Sequence, residues 1–282
     1  MSSATMAPPG STRLLLAMGG LLAVAIALQV VRDRGWQPYE PATPLLWVQS
    51  PEAVARASLG HRNLVADVYW IRAVVYYGSQ RLSGRGADYG LLYPLLDFVT
   101  TLDPRFRIAY RFGAIFLAEG YPRGPGRPDL AIRLLEKGVA ADPARWEYVQ
   151  DIGFVYYWWL RDARAAAEWF QRASAVPGAP SWLRLLAATT FASGGDRRSS
   201  RQLWQQLQDT ADNDWLRRTA AMRLAQLDAM DLLDRLNAAA DRVRGVPVDP
   251  AGVPFERDAD GRFRLSPQSP LWPLPQEPPA TP

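Results

Sequence analysis

Apolar side chains recur at three- and four-residue intervals throughout residues 52–244. This period places them on one face of an α-helix, and it is interrupted where glycine or proline prevents a helix from continuing. Breaks of this kind fall at Pro104, Pro143 and Pro177, and each separates two amphipathic stretches. The pattern predicts an all-α body over residues 52–244.

Four pairs of helices can be drawn between these breaks. The first covers residues 64–104, the second and third end at Pro143 and Pro177, and the fourth covers residues 181–210. An insertion rich in glycine and proline at residues 120–128 lengthens the turn of the second pair. A single pair cannot bury its apolar face, whereas three or more stacked pairs can bury a continuous core.

A last amphipathic stretch at residues 215–243 predicts a helix that caps the stack. Its apolar stripe runs beside four aspartates, Asp228, Asp231, Asp234 and Asp241. Acidic residues on such a helix ordinarily form a solvated face, and a site for a cation or a basic partner is the alternative.

The third pair combines small residues with large rings. Gly153 and Phe154 lie on its first helix, and Phe170 lies between Ala166 and Ala173 on its second. The prolines that end the pairs are 39 and 34 residues apart. This pattern resembles the tetratricopeptide-repeat (TPR) family, whose helix pairs recur every 34 residues or so. The resemblance implies a TPR-type α-solenoid of about four helix pairs plus a capping helix.

In the TPR family, partners bind in a concave groove lined by the first helix of each pair, so the resemblance implies a protein partner, an extended peptide or a helix. When the groove positions of the family are transferred to this chain, the resemblance implies a groove lined by Tyr69, Arg72, Ala73, Tyr76, Tyr110, Ala114, Leu117, Gln150, Phe154 and Tyr157. Tyrosine offers a wide apolar face and a hydroxyl with little rotamer entropy to lose. Arg72 and Arg107 are candidates for binding a carboxylate of the partner. Packing between successive pairs is the alternative role of the rings.

Residues 14–31 form an uncharged apolar run with one polar side chain, Gln29. As a helix the run is about 27 Å long, enough to cross the hydrocarbon core of a membrane. It predicts a single transmembrane helix after a short N-terminal tail, residues 1–13. A cleaved signal peptide is the alternative, because Ala25 and Ala27 form a small-x-small cleavage pattern.

Residues 32–51 contain four prolines, which predicts an extended spacer between the membrane and the helical body. The charges that flank the apolar run do not decide its orientation. A short tail followed by a large body favours the bacterial inner membrane, with the body in the periplasm.

The C-terminal part of the chain has a different pattern. Residues 245–265 contain two short strand-like stretches around a turn that includes Asp258 and Asp260, which predicts a small β-hairpin. Asp249 to Phe255 reads DPAGVPF and resembles the DPxGxPF element of major pseudopilins. That resemblance keeps calcium as an alternative reading of the two turn aspartates.

Residues 266–282 contain seven prolines and cannot form a helix or an internal strand. They predict an extended proline-rich tail, either packed along the helical body through Trp272 or offered to a partner.

Composition narrows the possible chemistry. The net charge is +4, Lys137 is the only lysine, and the arginines are interleaved with acidic residues, which argues against nucleic-acid binding. The chain has no cysteine, which excludes thiol nucleophiles, disulfides and cysteine-ligated metals. His61 is the only histidine, so a zinc site of the HExxH type is excluded, and a structural or surface role is expected for it. No glycine motif for binding phosphate occurs.

These observations predict no catalytic set and no metal or cofactor site. We therefore expect that the protein is not an enzyme. The leading hypothesis is a membrane-anchored TPR scaffold that assembles a bacterial envelope complex, such as secretion, pilus or polysaccharide machinery. The alternative is a carbohydrate-binding module or an enzyme that uses the aromatic groove.

Overall fold

The computed structural model describes residues 18–30, 50–240, 243 and 245–275. The chain divides into two units, Met1–Trp47 and Val48–Pro282. In the first unit, residues 18–30 form a helix, α1, whose side chains are exposed. Within the described ranges, no helix combines the length and apolar character needed to cross a membrane. The predicted span at residues 14–31 lies partly outside these ranges, as do the N-terminal tail, most of the spacer, Asp241 and the end of the proline-rich tail.

The second unit is a succession of helices joined by short connections. These are α2 (Pro51–Ala57), α3 (Arg62–Ser83), α4 (Leu92–Leu102), α5 (Arg107–Ala118), α6 (Pro128–Ala141), α7 (Trp146–Val155), α8 (Ala163–Ser174), α9 (Trp182–Ser193), α10 (Arg197–Asp209) and α11 (Asp214–Ala238). A single 3-10 turn, Gly84–Gly86, follows α3, and a π-helical turn, Tyr156–Leu160, extends α7.

Each helix from α3 to α11 packs against the next in a repeat-like order. The predicted all-α body is confirmed, and its four pairs correspond to α3 with α4, α5 with α6, α7 with α8, and α9 with α10. The predicted final helix corresponds to α11, which packs on α10.

Short polar side chains determine where several of these helices begin. Asp162, Asp196 and Asn213 precede α8, α10 and α11, and each accepts a hydrogen bond from a backbone N–H in the first turn of its helix. Such caps satisfy amide groups that have no partner inside the helix, and each contributes about 1 kcal/mol.

Glycine allows the helices of the pairs to approach closely. At Gly153 in α7, an added Cβ would lie 2.5 Å from the ring of Phe170 in α8. At Gly113 in α5, it would lie within 3.0 Å of side-chain carbons of Leu96 in α4 and Leu134 in α6. Because these neighbours are buried, neither position has room for a methyl group.

Arginines of α10 pair with the aspartates of α11. Arg197 contacts Asp231 at 3.0 Å and Asp234 at 2.6 Å, and Arg201 contacts Asp228 at 2.5 Å and Asp231 at 2.7 Å. The acidic stripe is therefore not simply a solvated face, because the neighbouring helix supplies its counter-charges. A network of this kind holds two helices in register more effectively than isolated surface pairs.

The predicted β-hairpin is present but small. Strand β1 (Glu256–Arg257) pairs antiparallel with β2 (Phe263–Arg264), and Arg257 lies opposite Phe263. The rings of Phe255 and Phe263 pack with Leu265 against one side of α11. The hairpin is thus held by the apolar surface of the last helix.

The proline-rich tail continues along α11 as far as it is described. Gln226 is buried in α11, and its side-chain amide donates to the carbonyl oxygens of Leu271 at 2.8 Å and Pro273 at 2.9 Å. Leu271 is buried, whereas Trp272 is 52% exposed. As far as residue 275, the tail thus follows the first of the two alternatives, packing along the body, but it does so through Leu271 rather than Trp272, because the indole is largely exposed.

Gly153→Ala should lower the free energy of unfolding by about 1–3 kcal/mol, because the new methyl group overlaps the buried ring of Phe170. Gly78→Ala, in α3, is the matched control. Beyond the adjacent residues and the backbone of α3 itself, no atom lies within 4 Å of the added Cβ there. The free energy of unfolding of that variant should rise by about 0.5–1 kcal/mol, because alanine has a higher helix propensity than glycine. Urea denaturation followed by circular dichroism measures both, and equal stability of the two variants would contradict the close approach of α7 and α8.

Candidate functional site

A cavity of about 380 Å³ opens between α5 and the end of α7 with its π-helical turn. We call it the aromatic cavity. Most of its lining residues are apolar, and its two charged residues are Arg111 from α5 and Asp151 from α7. The complete lining consists of Arg111, Phe112, Ala114, Ile115, Asp151, Phe154, Val155, Trp158 and Trp159. Its volume lies within the range typical of sites that bind a small molecule or a protruding side chain.

Arg111 and Asp151 form a two-point ion pair at the cavity. Nε of Arg111 lies 2.5 Å from one carboxylate oxygen, and Nη2 lies 3.0 Å from the other. Burial raises the pKa of the Asp151 carboxyl, although the hydrogen bond from Arg111 lowers it in part. The same hydrogen bond raises the pKa of the Arg111 guanidinium. This parallel arrangement fixes α5 against α7 and orients the guanidinium beside the apolar lining.

The apolar part of the cavity is open to solvent. Phe112 is 52% exposed and Trp158 is 53% exposed. Phe154 is half-buried and packs edge-on against Phe170, with ring centroids 5.0 Å apart. Exposed rings beside a charged pair can cover an apolar side chain of a ligand and orient a polar group next to it.

The π-helical turn brings both tryptophans to this cavity. In an α-helix, Trp158 and Trp159 point about 100° apart, and a residue five positions after Phe154 lies away from its face. A π-helical turn bonds residues five apart instead of four, so Trp159 is brought nearer to the face that carries Phe154. Neither tryptophan is fully buried.

Seven of the ten groove positions that the TPR resemblance selects lie in the interior of the helix stack. These are Tyr69, Ala73, Tyr76, Tyr110, Ala114, Leu117 and Gln150. Tyr69 packs on Phe98 of α4 with ring centroids 4.4 Å apart, and Tyr110 packs on Tyr148 of α7 at 5.2 Å. These side chains pack between helices, which is the alternative role that the sequence left open for the rings.

The remaining three predicted positions are partly exposed. Phe154 lines the aromatic cavity. Tyr157 packs edge-on against Trp158 with centroids 5.0 Å apart, and the guanidinium of Arg72 lies 5.0 Å from the ring centre of Tyr69. Ala114, although buried, also lines the cavity.

Arg107, the second predicted carboxylate ligand, lies at a different place. It lines a polar cavity of about 500 Å³ together with Arg105 and Arg145. Arg145 is already paired with Asp142 at 3.2 Å. Arg111 is the guanidinium that lines the aromatic cavity, and the sequence pattern did not indicate it.

Of the two turn aspartates, Asp258 accepts hydrogen bonds from backbone N–H groups of the turn. One carboxylate oxygen of Asp258 accepts from the N–H groups of Asp260 at 3.0 Å and Arg262 at 2.9 Å. In the described ranges, no group of three or more His, Cys, Asp or Glu side chains is arranged to hold a metal ion. His61 is exposed at the start of α3, in a surface position.

Burial raises the pKa of both Tyr110 and Tyr148 to about 12, from 10.0. Between pH 10 and 12 the unfolded chain releases these phenolic protons while the folded chain keeps them, so the free energy of unfolding should fall across that interval. Tyr110→Phe should make the fall shallower, as measured by urea denaturation at a series of pH values. Below pH 10 the difference in free energy of unfolding between the variant and the wild type should stay constant. An equal fall of this free energy in both proteins above pH 10 would contradict the burial of Tyr110.

Comparison with protein-family models, curated proteins and solved structures finds no match for this chain. The interpretation of its function therefore depends on the residue pattern and on the geometry of the aromatic cavity.

Proposed function

We propose that this chain is a membrane-anchored scaffold of the TPR type, which binds another protein through the aromatic cavity. The repeat-like packing of α3 to α10 in pairs supports a TPR-type α-solenoid of about four helix pairs, capped by α11. The close contact of Gly153 with Phe170 supports it too, since it is the small-against-large packing of the TPR pattern.

The aromatic cavity is the observation that carries the proposal. It combines exposed Phe112, Ile115 and Trp158 with the oriented guanidinium of Arg111. Aromatic residues and arginine dominate the binding energy of protein interfaces, where a protruding apolar side chain fills a pocket that excludes water. The partner that suits it is an extended peptide or a helix, which inserts an apolar side chain and accepts a hydrogen bond from Arg111.

The proposed setting is the bacterial inner membrane, with residues 14–31 as the anchor and the helical body in the periplasm. A tethered binding surface there suits the assembly of an envelope complex of secretion, pilus or polysaccharide machinery. The protein acts in this proposal by holding a partner and not as an enzyme, with no cofactor.

A carbohydrate-binding role is the second candidate. The exposed rings of Phe112 and Trp158 favour it. Aromatic rings that are partly exposed to water also bind ligands that have an apolar face and hydroxyl groups. Binding of soluble oligosaccharides to the purified chain, lost on Trp158→Ala and without any protein partner, would favour it over the scaffold.

The double variant Phe112→Ala and Trp158→Ala should lose a partner that the wild-type chain retains. The measurement is affinity purification of the full chain from native membranes, with quantitative mass spectrometry of the co-purifying proteins. Removing two rings from the cavity should lower recovery of that partner at least tenfold, because each aromatic anchor contributes about 1–2 kcal/mol or more.

Trp215→Ala is the matched control, because Trp215 is 62% exposed on α11 and does not line the cavity. It should recover the same proteins as wild type. If both variants recover every protein at wild-type levels while circular dichroism shows intact helices, the cavity is not the binding surface.

A further inference from the structure

Helix α3 is 22 residues long and buries only one face. Its buried side chains are Ala66, Tyr69, Ala73, Tyr76 and Tyr77. These positions lie within one broad arc of the helix, and the ring of Tyr69 packs on α4. The packed body therefore accounts for one side of α3.

The opposite side of α3 carries a stripe of exposed aliphatic residues, which we call the α3 stripe. Its members are Leu64, Val68, Ile71, Val75 and Leu82, with exposed fractions of 63%, 44%, 59%, 64% and 90%. At about 100° per residue they fall within an arc of about 60°, centred opposite the buried face. In the part of the chain that the structure describes, they remain open to solvent.

The spacing within the stripe is that of a heptad repeat. Steps of four and three residues alternate from Leu64 to Val75, and Gly78 continues the pattern to Leu82. This places Val68 and Val75 at a positions and Leu64 and Ile71 at d positions. Valine at two a positions with Leu64 at d is the combination that favours two-stranded parallel coiled coils, whereas Ile71 at d and Leu82 at a do not add to that preference.

The residues beside the stripe also suit pairing with an identical helix. Asp67 lies at a g position and Arg72 at the following e position. In a parallel pair, the g residue of one helix lies beside the following e residue of the other, so opposite charges meet on both flanks. A membrane-surface helix has instead a wider apolar face bordered by basic residues. Val74, 38% exposed, widens the apolar face, but the acidic side chain of Asp67 at its edge fits a charged helix better than a lipid surface.

We infer that the α3 stripe pairs in parallel with the α3 stripe of a second copy, so that the protein forms a symmetric dimer through a short coiled coil. This interface uses α3, whereas the aromatic cavity is formed by α5 and α7. Dimerisation and partner binding are consequently separate properties, and either can fail without the other.

Ile71→Glu should convert the dimer to a monomer, raising the dissociation constant at least tenfold, because it places a charge on the seam of each helix. The measurement is light scattering of the full chain in detergent at micromolar concentrations. The wild type should have twice the 31.4 kDa mass of one chain after the detergent contribution is subtracted. Ile108→Glu is the matched control, because Ile108 is 53% exposed on α5, and this variant should remain dimeric.

The chain contains no cysteine, so single introduced cysteines report the contact directly. Val75→Cys should form a disulfide-linked dimer on mild oxidation, whereas Gln205→Cys on the exposed side of α10 should not. A monomeric wild type, equal association of the Ile71 and Ile108 variants, or no linkage through Val75→Cys would overturn the inference. So would a monomer whose binding to phospholipid vesicles is abolished by Ile71→Glu, since the stripe would then contact lipid.

Discussion

The close approach of consecutive helices, made possible by glycine opposite large buried side chains, is the constraint on which the helical body depends. Gly153 lies against Phe170, and Gly138 lies against the rings of Tyr110 and Tyr148. Two helices can approach to this extent only where one of them lacks a side chain. The rings then fill the space between the helices, and their burial supplies the apolar stabilisation that repeated pairs need.

This packing explains why apolar residues occur on two sides of the same helices. In α3 the tyrosines face inward and are used for packing, while Ile71 and Val75 face outward. In α5, Tyr110 is buried, while Phe112 and Ile115 are about half exposed and line the aromatic cavity. A single exposed apolar side chain is ordinary, whereas the aligned sets on α3 and α5 are the basis of the two surfaces proposed above.

The helices could be predicted from sequence because their ends are marked locally. Proline, glycine and capping aspartates interrupt an apolar period of 3.6 residues, and both signals are visible along the chain. The lining of the aromatic cavity could not be predicted equally well, because it depends on which face of each helix its neighbours cover. Tyr110 and Arg111 are adjacent in sequence, yet one is buried and the other pairs with Asp151 at the cavity. The π-helical turn that brings Trp159 to the cavity has no residue signature of its own in this sequence.

The two ends of the helical body differ in how they are completed. At the C-terminal end, α11 pairs its aspartates with α10 and is covered on its apolar side by Phe255, Phe263 and the tail around Leu271. The terminal element of a stacked helical array needs a polar or covered outer face, since no further repeat buries it. At the N-terminal end, α3 meets α4 with one face and presents aliphatic side chains on the other. Among the residues that the structure describes, a cover is seen only at the C-terminal end, and the exposed face of α3 is the surface on which the proposed dimer rests.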